Sequence, residues 1–356
     1  MFNFLRKLRR KVKIPDNNGW IPDPIKQTDY RIEELFAALP AFNWRPLVDP
    51  KPLFPMKQQD GSSSCVCQSI SKALGVLEYY ENGGYRDLSP RFIYAQRPNT
   101  PQAGMIFRDG LDIAIKQGAP LESLLPSYGK GETEMNGLAD LKEDAKQIAQ
   151  VYKGKNYAYC DSTFDTIASL LEQKVPVVIG IKGSNAGWSN PPNGIVRPPR
   201  TFESIWYHGL VIVPEGKNGK NCGIINGKKA FVFDNSWGDD WALNGQGIIT
   251  EDYPILWNYN LLNLPDNWRD AVPESIAKPK HRFDVALGYG MKNNPEVVLL
   301  QQALKWLGMF PKDTPMTGNY YSITSKAVET FQTTYGISVN GNVGIATMAK
   351  LSEIFG

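Results

Sequence analysis

The chain has 356 residues, long enough for about two domains with cores of their own, and 42% hydrophobic with 11% aromatic residues is the composition of a globular protein. No apolar run approaches the ~18 residues of a membrane-spanning helix, so no transmembrane segment is expected. The net charge is +3, but six Lys/Arg fall within the first 13 residues and leave the rest at −3, which gives no footprint for nucleic acid.

That basic N-terminus puts Phe4, Leu5, Leu8 and Val12 on one helical face. Such a face suits an anionic membrane or a partner, or it is simply a solvated arm. No apolar segment follows the charges, so it is not read as a secretory signal. Residues 14–57 are rich in proline and read as an extended arm; residues 1–38 are set apart from a main domain at 39–268. Helices are expected over 66–80, 89–96, 106–117, 138–148 and 163–173. In the first of them Ile70, Ala73, Leu74 and Leu77 recur at helical spacing. Strands are expected over 175–181, 210–213, 230–234 and 247–250, and the polar, Gly-rich stretch from Glu215 to Lys229 reads as an enlarged hairpin. Helices first and strands after give an α+β domain of two lobes with a cleft between them. Residues 269–289 are Pro/Lys-rich and read as a linker, in which His281 is expected to be exposed and inert. Over 290–356 the chain returns to short helices with turns: Val297, Leu300 and Leu304 on one, Ala327, Val328 and Phe331 on a second, Leu351 on a third. This is a small all-α domain.

Three residues carry the chemistry. Cys65 follows a run of small polar residues and opens the first helical stretch. His208 starts the apolar run to Val213, and Asn235 lies where Phe231–Asp234 meets a Gly-marked turn. A thiol with a pKa of about 8.5 is mostly the wrong species to attack a carbonyl at neutral pH. A helix N-terminus and an imidazole each favour the thiolate, and in a pair of this type the thiol can fall to ~3–4. An asparagine oxygen fixes the tautomer and plane of the imidazole as a carboxylate does elsewhere. Trp237, two residues on, is placed to cover that bond. The chain has only two histidines, which leaves His208 as the base. The four cysteines (65, 67, 160, 222) do not make a disulfide framework; Cys67 is read as structural, and Cys160 with Cys222 is the one pairing left open. The scarcity of disulfides points to synthesis in a reducing compartment. There is no Cys-x-x-Cys pair and the histidines are 73 residues apart, so neither metal nor other cofactor is expected.

These residues resemble the papain-like cysteine peptidase family. Gln59 stands six residues before Cys65, the family's spacing of oxyanion glutamine to nucleophile. Asn235-Ser236-Trp237-Gly238 with Trp241, Asn244-Gly245 and Gly247 looks like its asparagine block, and Leu88-Ser89-Pro90 with Tyr94 like the segment after its catalytic helix. The stretch from Gly104 to Ala114 is similar to the one whose glycine lines the substrate cleft. Gly19-Trp20-Ile21-Pro22-Asp23 looks like the start of short-armed bacterial members. Ser62 and Val66 stand where the family commonly has cysteine and tryptophan, and the distances from Cys65 to His208 and Asn235, 143 and 170 residues, exceed about 130–150 because of the hairpin between them. The resemblance implies Cys65, His208, Asn235 and Gln59 as catalytic residues and Gly104 with Trp237 on the substrate side. Residues 290–355 resemble the three-helix peptidoglycan-binding-like domain, with Thr317 and Asn340 where that family usually has aspartate.

The implied function is a cysteine endopeptidase acting on polypeptides, delivered to peptidoglycan or another cell-surface partner by its C-terminal module. It would act at a cell wall or be carried by a phage particle. Two alternatives stand beside it: a lytic enzyme cutting murein stem peptides, and a non-catalytic virion or wall protein on a peptidase scaffold. The arm over 1–57 is a further possibility as a restraint on the enzyme, because the family's long inhibitory prosegment is absent.

Overall fold

The structure, a computed structural model, describes residues 19–24, 31–32, 39–139, 141–262, 278–311 and 314–356. The basic face at residues 4–12 and the Pro/Lys-rich stretch at 271–277 lie outside these residues. The described chain divides into two compact units. One is built on Ala41–Tyr157 and Asp161–Asn263 with the described residues up to Asp23; the other on Leu264–Gly356 with Pro24–Pro40 and Ala158–Cys160.

The first unit opens with helices and closes with strands. The helices are α1 (Cys65–Asn82), α2 (Pro90–Ala95), α3 (Phe107–Lys116), α4 (Glu132–Met135), α5 (Glu143–Val151), α6 (Phe164–Glu172) and α7 (Asn185–Trp188). The strands are β1 (Asn156–Ala158), β2 (Val177–Gly183), β3 (Trp206–Ile212), β4 (Glu215–Gly216), β5 (Gly219–Lys220), β6 (Cys222–Ile225), β7 (Lys228–Asp234), β8 (Gln246–Thr250) and β9 (Trp257–Leu262). Ile70, Ala73, Leu74 and Leu77 of α1 are all buried, and Gly83 ends the helix in the left-handed conformation (φ 74°), its N–H donating to Tyr79 O.

One seven-stranded sheet follows the order β1-β9-β2-β3-β7-β6, with β8 also on β7. Strands β2 and β3 pair antiparallel from Val177↔Ile212 to Gly183↔Trp206, which sets Gly180 opposite Gly209 and Ile181 opposite His208. The expected hairpin between His208 and Asn235 is present as two small antiparallel pairs. One is β4 with β5, the other β6 with β7, turning at Asn226-Gly227. None of the four cysteines is in a disulfide. Among the described residues no helix is long and apolar enough to cross a membrane.

The second unit packs α8 (Pro295–Trp306), α9 (Ser322–Thr334) and α10 (Ile345–Phe355) around Leu300, Leu304, Val328, Phe331 and Leu351. Asn294 caps α8 by accepting from Glu296 N, with Pro295 at the first helical position. Two glutamines tie the loops to this core. Gln301 accepts from Gly318 N, and Gln332 accepts from Asn340 N and Gly341 N. Phe283 and Leu287, inside the stretch that composition marks as linker, are each 3% exposed in the same core. His281 is not the inert surface residue expected: Nε2 lies 2.8 Å from Glu296 Oε2 and its backbone N–H donates to Phe355 O. Proline keeps the segment out of helix and sheet without forcing it into solvent, and Phe283 and Leu287 dock it on the core.

Candidate active site

Cys65 is the first residue of α1 and is completely buried. Its Sγ accepts the backbone N–H of Gly209 at 3.3 Å, which brings the start of α1 against β3 just past His208. His208, 4% exposed, donates from Nε2 to Asn235 Oδ1 at 2.8 Å. The same oxygen accepts from Ser236 N, so the amide is turned with its oxygen inward and Nδ1 of the imidazole is left as the basic nitrogen. Trp237, 7% exposed, lies with its ring centroid 5.0 Å from that of His208, and Trp188 and Trp206 close the other sides of the imidazole. The tryptophan thus packs against the imidazole that Asn235 holds.

Gln59 is buried at the same place. Its Nε2 donates to Ser62 O at 2.8 Å and its Oε1 accepts from Ser236 Oγ at 2.7 Å, linking the turn before Cys65 to the turn after Asn235. Gly104 takes a left-handed φ of 76°; its N–H donates to Tyr94 Oη and its carbonyl accepts from Asn99 Nδ2. Cys67 points away, its Sγ 2.9 Å from Met105 Sδ in the interior.

In this conformation burial works against charge on both Cys65 and His208. Burial pushes the Cys65 thiol from 9.0 up to about 12, outweighing the backbone N–H groups of Gly209, Val66 and Cys65. Burial likewise takes the His208 imidazole from 6.5 down to about 4, against the smaller opposing effect of Asn235.

Part of this burial comes from Gly19–Asp23, the segment that resembles the start of short-armed bacterial members of the family. A Cβ built on Gly19 would lie 2.6 Å from Cys65 Sγ and 2.8 Å from Ser63 O, so only a glycine backbone fits against the sulfur. From there Gly19–Asp23 runs parallel to the chain at Met105: Met105 N donates to Gly19 O at 3.1 Å and Ile21 N to Met105 O at 3.0 Å. Trp20 is 1% exposed, packed on Phe107 and Tyr207, and its ring occupies the space that a side chain on Gly180 would need. Asp23 ends the segment by accepting the N–H groups of Phe107 and Arg108, the first two residues of α3, and the Trp20 indole N–H. A tryptophan followed by an aspartate within a proline-rich arm was the available signal; where they dock depends on residues some eighty positions away.

The fold is shared with solved proteases. Xylellain, a cysteine protease from Xylella fastidiosa, is 20% identical and superposes with a TM-score of 0.57 over 73% of this chain and 99% of its own. Digestive procathepsin L2 of Tenebrio molitor is 20% identical, with a TM-score of 0.50 over 70% and 78% of the two chains. Among curated proteins, the one named "Probable cysteine protease RD19B" from Arabidopsis thaliana is 23% identical over 57% of this chain, and a cysteine protease of Blomia tropicalis 26% identical over 27%. The matches span 56% and 26% of those relatives' own length. Residues 293–351 match the family model of a peptidoglycan binding domain. The model of the papain family cysteine protease matches residues 40–253, more than half of the chain and a stretch that contains Cys65, His208 and Asn235, and the chain belongs to that family.

Proposed function

We propose that this protein is a cysteine endopeptidase that cleaves polypeptides through Cys65, His208 and Asn235. The single observation that carries the reading is the alignment of the helix N-terminus at Cys65 with β3, next to an imidazole whose Nε2–H is held by the Asn235 oxygen at 2.8 Å. In the reaction Nδ1 of His208 takes the thiol proton and Sγ attacks the scissile carbonyl carbon. The carbonyl electron pair moves to its oxygen, which the Cys65 N–H and the Gln59 amide stabilise; one such donor is worth ~3–4 kcal/mol where it has been deleted. The intermediate collapses with cleavage of the C–N bond, and His208 returns the proton to the leaving amine. Water, deprotonated by His208, then attacks the thioester, releasing the acid and restoring the thiol.

The chain as described is the covered form. Gly19–Asp23 lies where a polypeptide would have to approach Sγ, so turnover requires this segment to leave, and the thiolate forms once Sγ and the imidazole regain solvent and each other. The C-terminal unit serves as a targeting module that holds the peptidase at peptidoglycan.

The test is hydrolysis of a fluorogenic peptide by the full-length protein, together with alkylation of Cys65 by iodoacetamide at pH 6. Turnover abolished by Cys65→Ala is expected. Gly19→Val, which cannot seat against Sγ, should raise both turnover and alkylation by about tenfold or more. Alkylation no faster than that of free cysteine, in the wild type and in Gly19→Val alike, sinks the peptidase reading in favour of a non-catalytic scaffold. Dye release from labelled sacculi without peptide hydrolysis would move the substrate to murein stem peptides.

A further inference from the structure

His208 lies on β3, and Asn235 follows the end of the neighbouring strand β7. The ladder between β3 and β7 consists of one residue pair, Val211↔Asp234; β3 otherwise pairs with β2, and β7 with β6 and β8. Asn235 follows Asp234 directly, so this joint sets one side of the asparagine, while its own N–H donates to Gly245 O and Gln59 holds Ser236 on the other side.

The joint is fastened from behind by a side chain of the nucleophile helix. Lys72, two turns after Cys65 on α1, places Nζ 3.0 Å from Asp234 Oδ2, with side chains 1% and 3% exposed. Both ends are held further: Lys72 Nζ donates to Pro55 O, and Asp234 Oδ1 accepts from Gln246 Nε2 at 2.8 Å. The pair borders a small internal cavity of about 10 Å³ shared with Gln68 and Asn235, whose Oε1 and Nδ2 atoms are buried without a protein partner. That is room for about one water. A buried ion pair of this kind is weak evidence for stability, because neutral residues of similar volume often do as well. Its attested use is to fix register, and the register here is the thin one between the two strands that carry base and orienter.

We propose that Lys72 is a positioning residue for the Cys65–His208–Asn235 set, acting through Asp234. One helix then holds the sulfur at its first residue and, two turns later, the strand end that orients the imidazole. This inference rests on the peptidase reading above.

The experiment compares Lys72→Met alone with the neutral pair Lys72→Met/Asp234→Asn, both in the full-length protein and below each variant's melting transition. The single variant leaves Asp234 buried and unpaired and is expected to lose thermal stability. The double variant keeps an oxygen for Gln246 and should regain most of it. If Lys72 positions the site, kcat of the double variant stays roughly tenfold or more below wild type with KM within about twofold, as for sub-ångström misplacement of reacting groups. The pH profile of Cys65 alkylation also shifts toward that of an isolated thiol. Wild-type kcat and an unshifted profile in the double variant overturn the proposal and leave the pair structural. A Cys65 no more reactive than free cysteine in the wild type and in Gly19→Val alike removes the peptidase reading first, and this inference with it; that outcome is read without any Lys72 variant and so is distinguishable.

Discussion

At the scale of single residues, burial makes Cys65 and His208 a pH-dependent load on the fold. The sign follows from where each proton sits. An unfolded His208 takes up a proton near 6.5 and the folded one only near 4, so stability falls as pH drops through that window. An unfolded Cys65 ionises near 9.0 and the folded one near 12, so stability falls again as pH rises from 9.0 toward 12. Between 6.5 and 9.0 neither group contributes a slope. Cys65→Ser, which cannot ionise in this range, is expected to flatten the alkaline limb by about 1.4 kcal/mol per pH unit above 9 while leaving the acid limb in place. Urea unfolding of both proteins from pH 5 to 11 reads this directly. Identical alkaline limbs would mean that the thiol is not held in a desolvated place. The sequence singles out Cys65, His208, Asn235 and Gln59 because each sits in a local pattern, and the His208–Asn235 contact is present in the structure. The depth of their burial was not legible, because it depends on segments distant in sequence, among them Gly19 against the sulfur.

At the scale of elements, legibility followed the strength of the local period. The apolar stripe of α1 and the runs in β2, β3 and β7 were readable to within a few residues. Strand β9 was missed because its period places Asn258 and Asn260, both buried, between Trp257, Tyr259 and Leu261, and asparagine is a poor strand former whose burial depends on hydrogen bonds made elsewhere. Strand β6 was absorbed into the enlarged hairpin, since Cys222-Gly223-Ile224-Ile225 is short and bordered by glycines and lysines. Lys57 and Lys72, almost wholly buried, broke the expectation that charges stay outside. Packing also overrules propensity within α1. Gly75 lies in mid-helix, where replacing glycine with alanine ordinarily gains ~0.5–1 kcal/mol. A Cβ there would meet the carbonyl oxygen of Arg86 at 2.1 Å and the Tyr85 ring at 2.9 Å. The carbonyl is backbone and cannot swing aside, and overpacking of this kind costs ~1–3 kcal/mol, so it wins. Gly75→Ala should therefore lower the midpoint of thermal unfolding by several degrees. An unchanged or higher midpoint would show that the turn at Tyr85-Arg86 moves freely, and with it the far end of the helix that carries Cys65.

At the scale of the whole molecule, the chain joins a family known for cutting polypeptides to a unit whose sequence matches a peptidoglycan binding domain. The advantage of such a union is one of effective concentration. A tethered peptidase meets substrates on the same surface at a local concentration that can raise apparent turnover by ~10²–10⁴ without any new contact at the cleft. Thr317 and Asn340 depart from the aspartates usual in that domain, but in this chain the loops they introduce are held by Gln301 and Gln332 through backbone N–H groups, so the departure leaves the loop framework intact. Whether the framework carries a ligand is then a matter of binding alone. Full-length Cys65→Ala is expected to sediment with purified sacculi at low salt. The wild type should release fragments from a polypeptide fixed to sacculi far faster than from the same polypeptide in solution. A chain ended after Asn263 should keep its rate on the soluble substrate and lose the difference. Equal rates on both substrates for the full chain, with no sedimentation, would separate the second unit from wall binding and leave the first as a protease whose address is read by something else.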